Sequence, residues 1–112
     1  MPGRLKKVYA TDIIAVSYTG SEIPYFEDST AFWIYAVDEN KVVRTQILSV
    51  YSKSIDDIIY LLKQCGIDGV ICKNYGPKAM SSLKRAGYRL YAFDGGARAA
   101  VNAFALGKLA EM

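Results

Sequence analysis

Histidine is absent from the 112 residues of this chain, which removes the commonest general acid–base residue and the commonest metal ligand. The two cysteines, Cys65 and Cys72, are too few for a disulfide framework, and their spacing is not a zinc-binding pattern. No apolar run is long enough to cross a bilayer, and the first residues lack the apolar segment of a signal peptide. We therefore expect a cytoplasmic protein that does not enter a membrane.

A strong excess of charge of either sign is also missing. The formal net charge is +3, and the basic residues are scattered apart from Arg4, Lys6 and Lys7 near the start. Nucleic-acid-binding proteins usually concentrate their cations on one face, so we expect no nucleic-acid partner. The length suits one domain. We assign it to residues 12–112, with residues 1–11 as a basic lead-in.

The apolar pattern predicts secondary-structure elements in the order βββαβαβα. The strands cover residues 13–16, 31–37, 42–51, 70–72 and 88–93, and the helices follow Ser54, Gly76 and Gly96. Right-handed crossovers through helices make the first, fourth and fifth strands parallel, and the hairpin extends the sheet on the other side of the first strand. The prediction is an α/β fold with a five-stranded mixed sheet and helices on both faces, in the manner of ribonuclease H-like folds.

Residues 66–87 form the central strand–loop–helix unit. Pro77 suits the first position of a helix, and Gly87 suits the left-handed residue that ends it. In open α/β sheets, ligands bind beyond the carboxyl ends of the strands, where we expect the loops 17–20, 73–76 and 94–96 to meet. Free N–H groups at a helix start favour an anion there.

These loops carry possible cations at Lys73, Lys78 and Arg98 and possible aromatic walls at Tyr18 and Tyr75. An anionic ligand would suit this set. The alternative is that the glycines only end strands and cap helices, and that the charges are solvated.

A metal-dependent nuclease would need several carboxylates converging on divalent cations. Asp12 and Asp68 lie at strand starts, whereas Asp94 lies past a strand end, so this activity is disfavoured. We expect Cys65 and Cys72 to be structural. If an iron–sulfur species binds by coordination, they are the candidate ligands.

The sequence resembles a known family over residues 13–109. The segments that carry the resemblance are IIAVSYTG, IPYFEDSTAFWIYAV and GIDGVICKNYGPKAMSSLKRAGYRLYAFDGGARAAVNAFALGKL. In order and spacing they are similar to the dinitrogenase iron–molybdenum cofactor biosynthesis family. The resemblance implies a ribonuclease H-like fold and a role as a small carrier, or as a domain of a cofactor-maturation protein. The chain departs from the family pattern, because Tyr25 replaces a histidine and Glu27 replaces a glycine.

We therefore expect a small non-catalytic carrier that binds an anionic ligand, such as an iron–sulfur or iron–molybdenum cluster, at the loop crevice. We predict no catalytic residue and no metal ligand. The residues expected to bind are Tyr18, Tyr25, Phe26, Lys73, Asn74, Tyr75, Gly76, Lys78, Asp94, Gly95, Gly96 and Arg98. The expected partners are cofactor-assembly proteins, and the expected state is a monomer or weak homodimer. The alternative is a protein–protein interaction or regulatory domain with no bound cofactor.

Overall fold

A computed structural model describes residues 12–20 and 22–112; the predicted lead-in, residues 1–11, lies outside the described residues. The strands are β1 (Asp12–Tyr18), β2 (Ala31–Asp38), β3 (Lys41–Ser49), β4 (Gly69–Cys72) and β5 (Arg89–Ala92). The helices are α1 (Ile55–Gln64), α2 (Pro77–Arg85) and α3 (Ala97–Ala105), and a short 3₁₀ helix covers Phe26–Asp28. In the described part of the chain, no helix is both long and apolar enough to cross a membrane.

The strands form one five-stranded sheet in the order β3-β2-β1-β4-β5. β1 pairs with β2 in antiparallel fashion and with β4 in parallel fashion, and β4 pairs with β5 in parallel fashion. The predicted α/β fold with a mixed sheet is therefore confirmed. Gly69 lies at a close approach of two strands, since an added Cβ would be 2.9 Å from the carbonyl oxygen of Arg89.

Helices cover both faces of the sheet because successive side chains of a strand point to opposite sides. One face packs against α1 and α2, whose buried residues include Leu62 and Leu83, and the other packs against α3, whose buried residues include Val101. β1 supplies Ile13 to the first core and Ile14 to the second. Both sides of the central strands are therefore apolar, as their unalternating sequence predicts.

The ends of the helices follow local rules. The Ser54 hydroxyl accepts a hydrogen bond from the amide of Asp57 at 3.1 Å and caps α1. Pro77 is the first residue of α2, and Gly87, at φ 92°, follows its end. One prediction was wrong: Ser17 and Tyr18 belong to β1 and not to a loop, because they pair with β2 in the ladder.

Candidate functional site

Three segments meet at the edge of the sheet where β1, β4 and β5 end. The strap, which we define as residues 22–28, crosses this edge and is held to both neighbouring loops by backbone hydrogen bonds. The amide of Ile23 donates to the carbonyl of Gly95 at 2.9 Å, and the amide of Lys73 donates to the carbonyl of Pro24 at 2.9 Å. We call the strap together with residues 73–76 and 94–96 the rim.

Two of the predicted ligand contacts are core residues. Phe26 is fully buried, and Tyr75 is only 6% exposed. Their rings stack with centroids 6.4 Å apart, and the Tyr75 hydroxyl lies 2.9 Å from the carbonyl oxygen of Val70 and 2.7 Å from that of Tyr91. The expectation that Phe26 covers a ligand and that Tyr75 forms a wall is therefore wrong, because the strap inserts Phe26 beneath the rim and against Tyr75.

The other predicted wall, Tyr18, lies on the opposite face of the sheet from Tyr75. The Tyr18 ring meets Trp33 edge-on at 5.8 Å, and Trp33 packs against the core that α3 covers. Tyr75 belongs to the core that α1 and α2 cover. The two tyrosines consequently do not face each other across a crevice.

The remaining predicted residues stay accessible. Lys73, Asn74, Lys78, Asp94, Arg98 and Tyr25 are exposed, and Gly76, Gly95 and Gly96 are half-buried. Lys78 is in the first turn of α2 and Arg98 in the first turn of α3, so these two cations lie on opposite sides of the rim. Arg98 is close enough to Tyr35 to oppose the rise that burial causes in the pKa of that hydroxyl.

Glu27 is a rim residue that sequence reasoning missed as a contact. Its Oε2 atom accepts a hydrogen bond from the amide of Gly76 at 2.8 Å. Gly76 is the N-cap of α2, so this carboxylate lies where we expected an external anion. The sequence indicates an acidic residue at position 27, but no local pattern of residues relates this position to position 76.

Direct coordination of a metal does not suit the described residues. Both thiols are buried, and burial raises the pKa of Cys72 to about 12 despite hydrogen bonding with Ser17 and Tyr75. Burial likewise raises the pKa of Cys65. Over residues 12–20 and 22–112, no group of three or more His, Cys, Asp or Glu residues could hold a metal ion. Burial therefore favours the protonated form of both thiols and shields them from a ligand.

The carboxylates at the strand starts take part in structural contacts. Asp68 accepts a hydrogen bond from the amide of Ile13 at 2.8 Å, and Asp12 forms an ion pair with Arg89. Asp94 lies at the rim, beyond the opposite ends of the strands. This arrangement separates the acidic residues that a two-metal site would bring together.

A pocket of about 260 Å³ opens at the edge away from the rim. The described residues that line it include Asp12 and Glu39 and apolar residues such as Phe104, but no lysine or arginine. An anionic ligand is therefore better matched by the rim, where cations and helix starts lie, than by this pocket.

Comparisons with known proteins agree on the family and the fold. The family described as dinitrogenase iron-molybdenum cofactor matches residues 13–107, and no curated protein sequence matches the chain. A solution structure of a candidate dinitrogenase from Methanococcus jannaschii is 21% identical, with a TM-score of 0.74, and the match covers 92% of this chain and 94% of that one. Its crystal structure is 20% identical, with a TM-score of 0.74 and coverage of 90% and 94%.

A candidate NifB protein from Thermotoga, assigned to the DUF35 family, is 22% identical, with a TM-score of 0.68 and coverage of 90% of this chain and 93% of that one. At these identities the structural matches support the fold alone. The family match covers most of the sequence and includes both the strap and the loops of the rim, which confirms the resemblance found in the sequence. The chain therefore belongs to the dinitrogenase iron-molybdenum cofactor family.

Proposed function

We propose that this protein is a small non-catalytic carrier that binds an anionic metal cluster at the rim. The observation that carries the proposal is the family match over residues 13–107, which includes every residue of the rim. In this role the cluster is cargo that the protein receives from, and passes to, other cofactor-assembly proteins. We expect the exchange to occur in the cytoplasm, with the carrier as a monomer or weak homodimer.

Contacts around the surface of the cluster suit this chain better than bonds to its metal atoms. Lys73, Lys78 and Arg98 are exposed and can contribute positive charge to the binding of an anion. The backbone at Gly96, where α3 begins, can approach a ligand closely because the space that a side chain would occupy there is open. Tyr25, which is 44% exposed, is the aromatic residue of the strap that can contact the cargo.

The test is anaerobic reconstitution with iron and sulfide, followed by desalting, iron analysis and absorption spectroscopy, with a parallel titration of preformed iron–molybdenum cofactor. The variant Lys73→Glu/Lys78→Glu should bind less of either cargo. Lys63→Glu/Lys84→Glu is the matched control, because it makes the same charge change at exposed helix positions away from the rim. Failure of the wild type to bind both cargoes would refute the proposal, as would equal loss in the two variants.

A protein–protein interaction domain with no cargo is the second candidate. The observation that favours it is the filling of the rim by the chain's own groups, with Phe26 and Tyr75 inside and Glu27 on Gly76. The β2–β3 hairpin offers a surface for a partner, since Val43 is 50% and Ile47 54% exposed. Capture of a partner that is lost in Ile47→Lys and retained in the Lys73→Glu/Lys78→Glu variant would favour this candidate.

A further inference from the structure

The contact between Glu27 and Gly76 joins residues 49 positions apart, and its geometry depends on the glycine. A Cβ atom added at Gly76 would lie 2.1 Å from Oε2 of Glu27 and 3.0 Å from its Cδ. The carboxylate therefore occupies the space that any other residue at position 76 would fill with its side chain. The first turn of α2 contains no acidic residue, so Glu27 supplies the negative charge that a helix start favours.

The backbone of the strap fixes the position of Glu27, whereas the Glu27 side chain can rotate away from Gly76. The amide of Phe26 donates to the carbonyl of Asn74 at 3.0 Å, and the Phe26 ring is buried beside Tyr75. Glu27 itself is exposed, and its hydrogen bond to Gly76 is in contact with solvent. Rotation of the side chain is enough to uncover the Gly76 amide, without movement of the strap.

We propose that Glu27 is a built-in competitor at the rim, which an anionic ligand must displace to reach the N terminus of α2. This inference rests on the proposed function, because it concerns the same binding region. A carboxylate on a short tether has an effective concentration on the order of millimolar. An anion must bind the helix start strongly enough to compete at that concentration. Since the helix start is positive, this favours multiply charged anions over weak monovalent ones.

The N terminus of α3 provides an internal comparison. Its N-cap is Gly96, and its first turn also contains no acidic residue. The rim thus contains the starts of two helices, α2 and α3. At α2, the amide of the N-cap residue Gly76 donates a hydrogen bond to the carboxylate of Glu27. Removal of Glu27 should change ligand binding at Gly76 more than at Gly96.

The test is a titration of ¹⁵N-labelled protein with tetrathiomolybdate, a sulfur-rich dianion, followed through the amide resonances of Gly76 and Gly96. Glu27→Ala should bind about twofold to fivefold more tightly than the wild type, because removing an exposed competing contact is worth up to about a factor of five. In the wild type, the ligand should shift the amide resonance of Gly96 more than that of Gly76. In Glu27→Ala, the larger shift should be at Gly76. Asp28→Ala is the matched control, since it removes the same charge from the same 3₁₀ helix and should bind as the wild type does.

Equal affinity of Glu27→Ala and the wild type would overturn the competitor role and leave the proposed function standing. An equal gain in Asp28→Ala would also overturn it, because overall charge would then explain the effect. Absence of binding in the wild type and in both variants would refute the competitor role and the anion site together. The remaining amide resonances report folding. Glu27→Gln, which keeps the length and hydrogen-bonding capacity of the side chain, should show a smaller gain in the same direction.

Discussion

Substitution of Gly76 by alanine tests the contact between Glu27 and α2 through protein stability. The backbone at Gly76 has φ −68° and ψ 161°, which alanine adopts without strain. The new methyl group instead collides with Glu27, at 2.1 Å from Oε2 in the present geometry. Because this oxygen is the end of a flexible side chain, the carboxylate should turn away and the hydrogen bond to the Gly76 amide should be lost.

The expected cost follows from three contributions. Loss of an exposed hydrogen bond to a carboxylate lowers the free energy of unfolding by about 1 kcal/mol. Alanine is a poorer N-cap than glycine by roughly 0.5–1 kcal/mol, but it restricts the unfolded chain and regains about 0.4–1 kcal/mol. The last two contributions nearly cancel. Gly76→Ala should therefore destabilise the protein by about 1 kcal/mol, which lowers the melting temperature by about 4 °C for a domain of this size.

A double-mutant cycle isolates the contact, because the methyl group has no carboxylate to displace when Glu27 is already alanine. Gly76→Ala should then cost close to nothing in the Glu27→Ala background, with a coupling free energy of about 1 kcal/mol. Urea unfolding can be followed by the fluorescence of Trp33, the single tryptophan. Equal costs of Gly76→Ala in the two backgrounds would contradict the structure's account of this contact.

Three further predictions address the core, the buried thiol and a helix cap. Tyr75→Phe should cost about 1–2 kcal/mol in urea unfolding because it removes the hydroxyl that donates a hydrogen bond to a buried main-chain carbonyl, whereas Tyr25→Phe, at an exposed position, should change little. Burial raises the pKa of Cys72 from 9.0 to about 12, so the folded state holds this proton more tightly than the unfolded state does. The free energy of unfolding should therefore fall as the pH rises from about 9 towards 12. The fall should be less steep in Cys72→Ala, and an equal slope in the two proteins would contradict this prediction. Ser54→Ala should lower the melting temperature by about 4 °C through loss of the α1 cap, and Ser81→Ala, at an exposed position within α2, should not.

Local sequence patterns predicted most of the fold. The caps at Ser54 and Pro77 and the left-handed glycine at Gly87 act within a few residues along the chain, so their effect can be recognised without a tertiary structure. The end of β1 could not be predicted this way. Ser17 and Tyr18 resemble loop residues, but β2 pairs with them and extends the strand.

The edge of the sheet where the loops gather was predictable, but the contacts that the loops make there were not. Parallel strands bring their carboxyl ends to one edge, which explains why the loops after β4 and β5 lie close together as expected. The segment that contacts both loops is the strap, whereas from the sequence we expected residues 17–20 to meet them. The contact between Phe26 and Tyr75 in the core depends on how the strap packs against the loop after β4.

The sequence alone determined the elements, their order and the edge of the sheet where the loops gather, because propensity, capping and crossover handedness act at short range or follow from chain order. Only the tertiary structure decided which rim groups are buried, which remain exposed and which contact one another. The hydrogen bond from Gly76 to Glu27 spans 49 positions. Such a contact depends on how the strap packs across the sheet, which no local pattern of residues encodes.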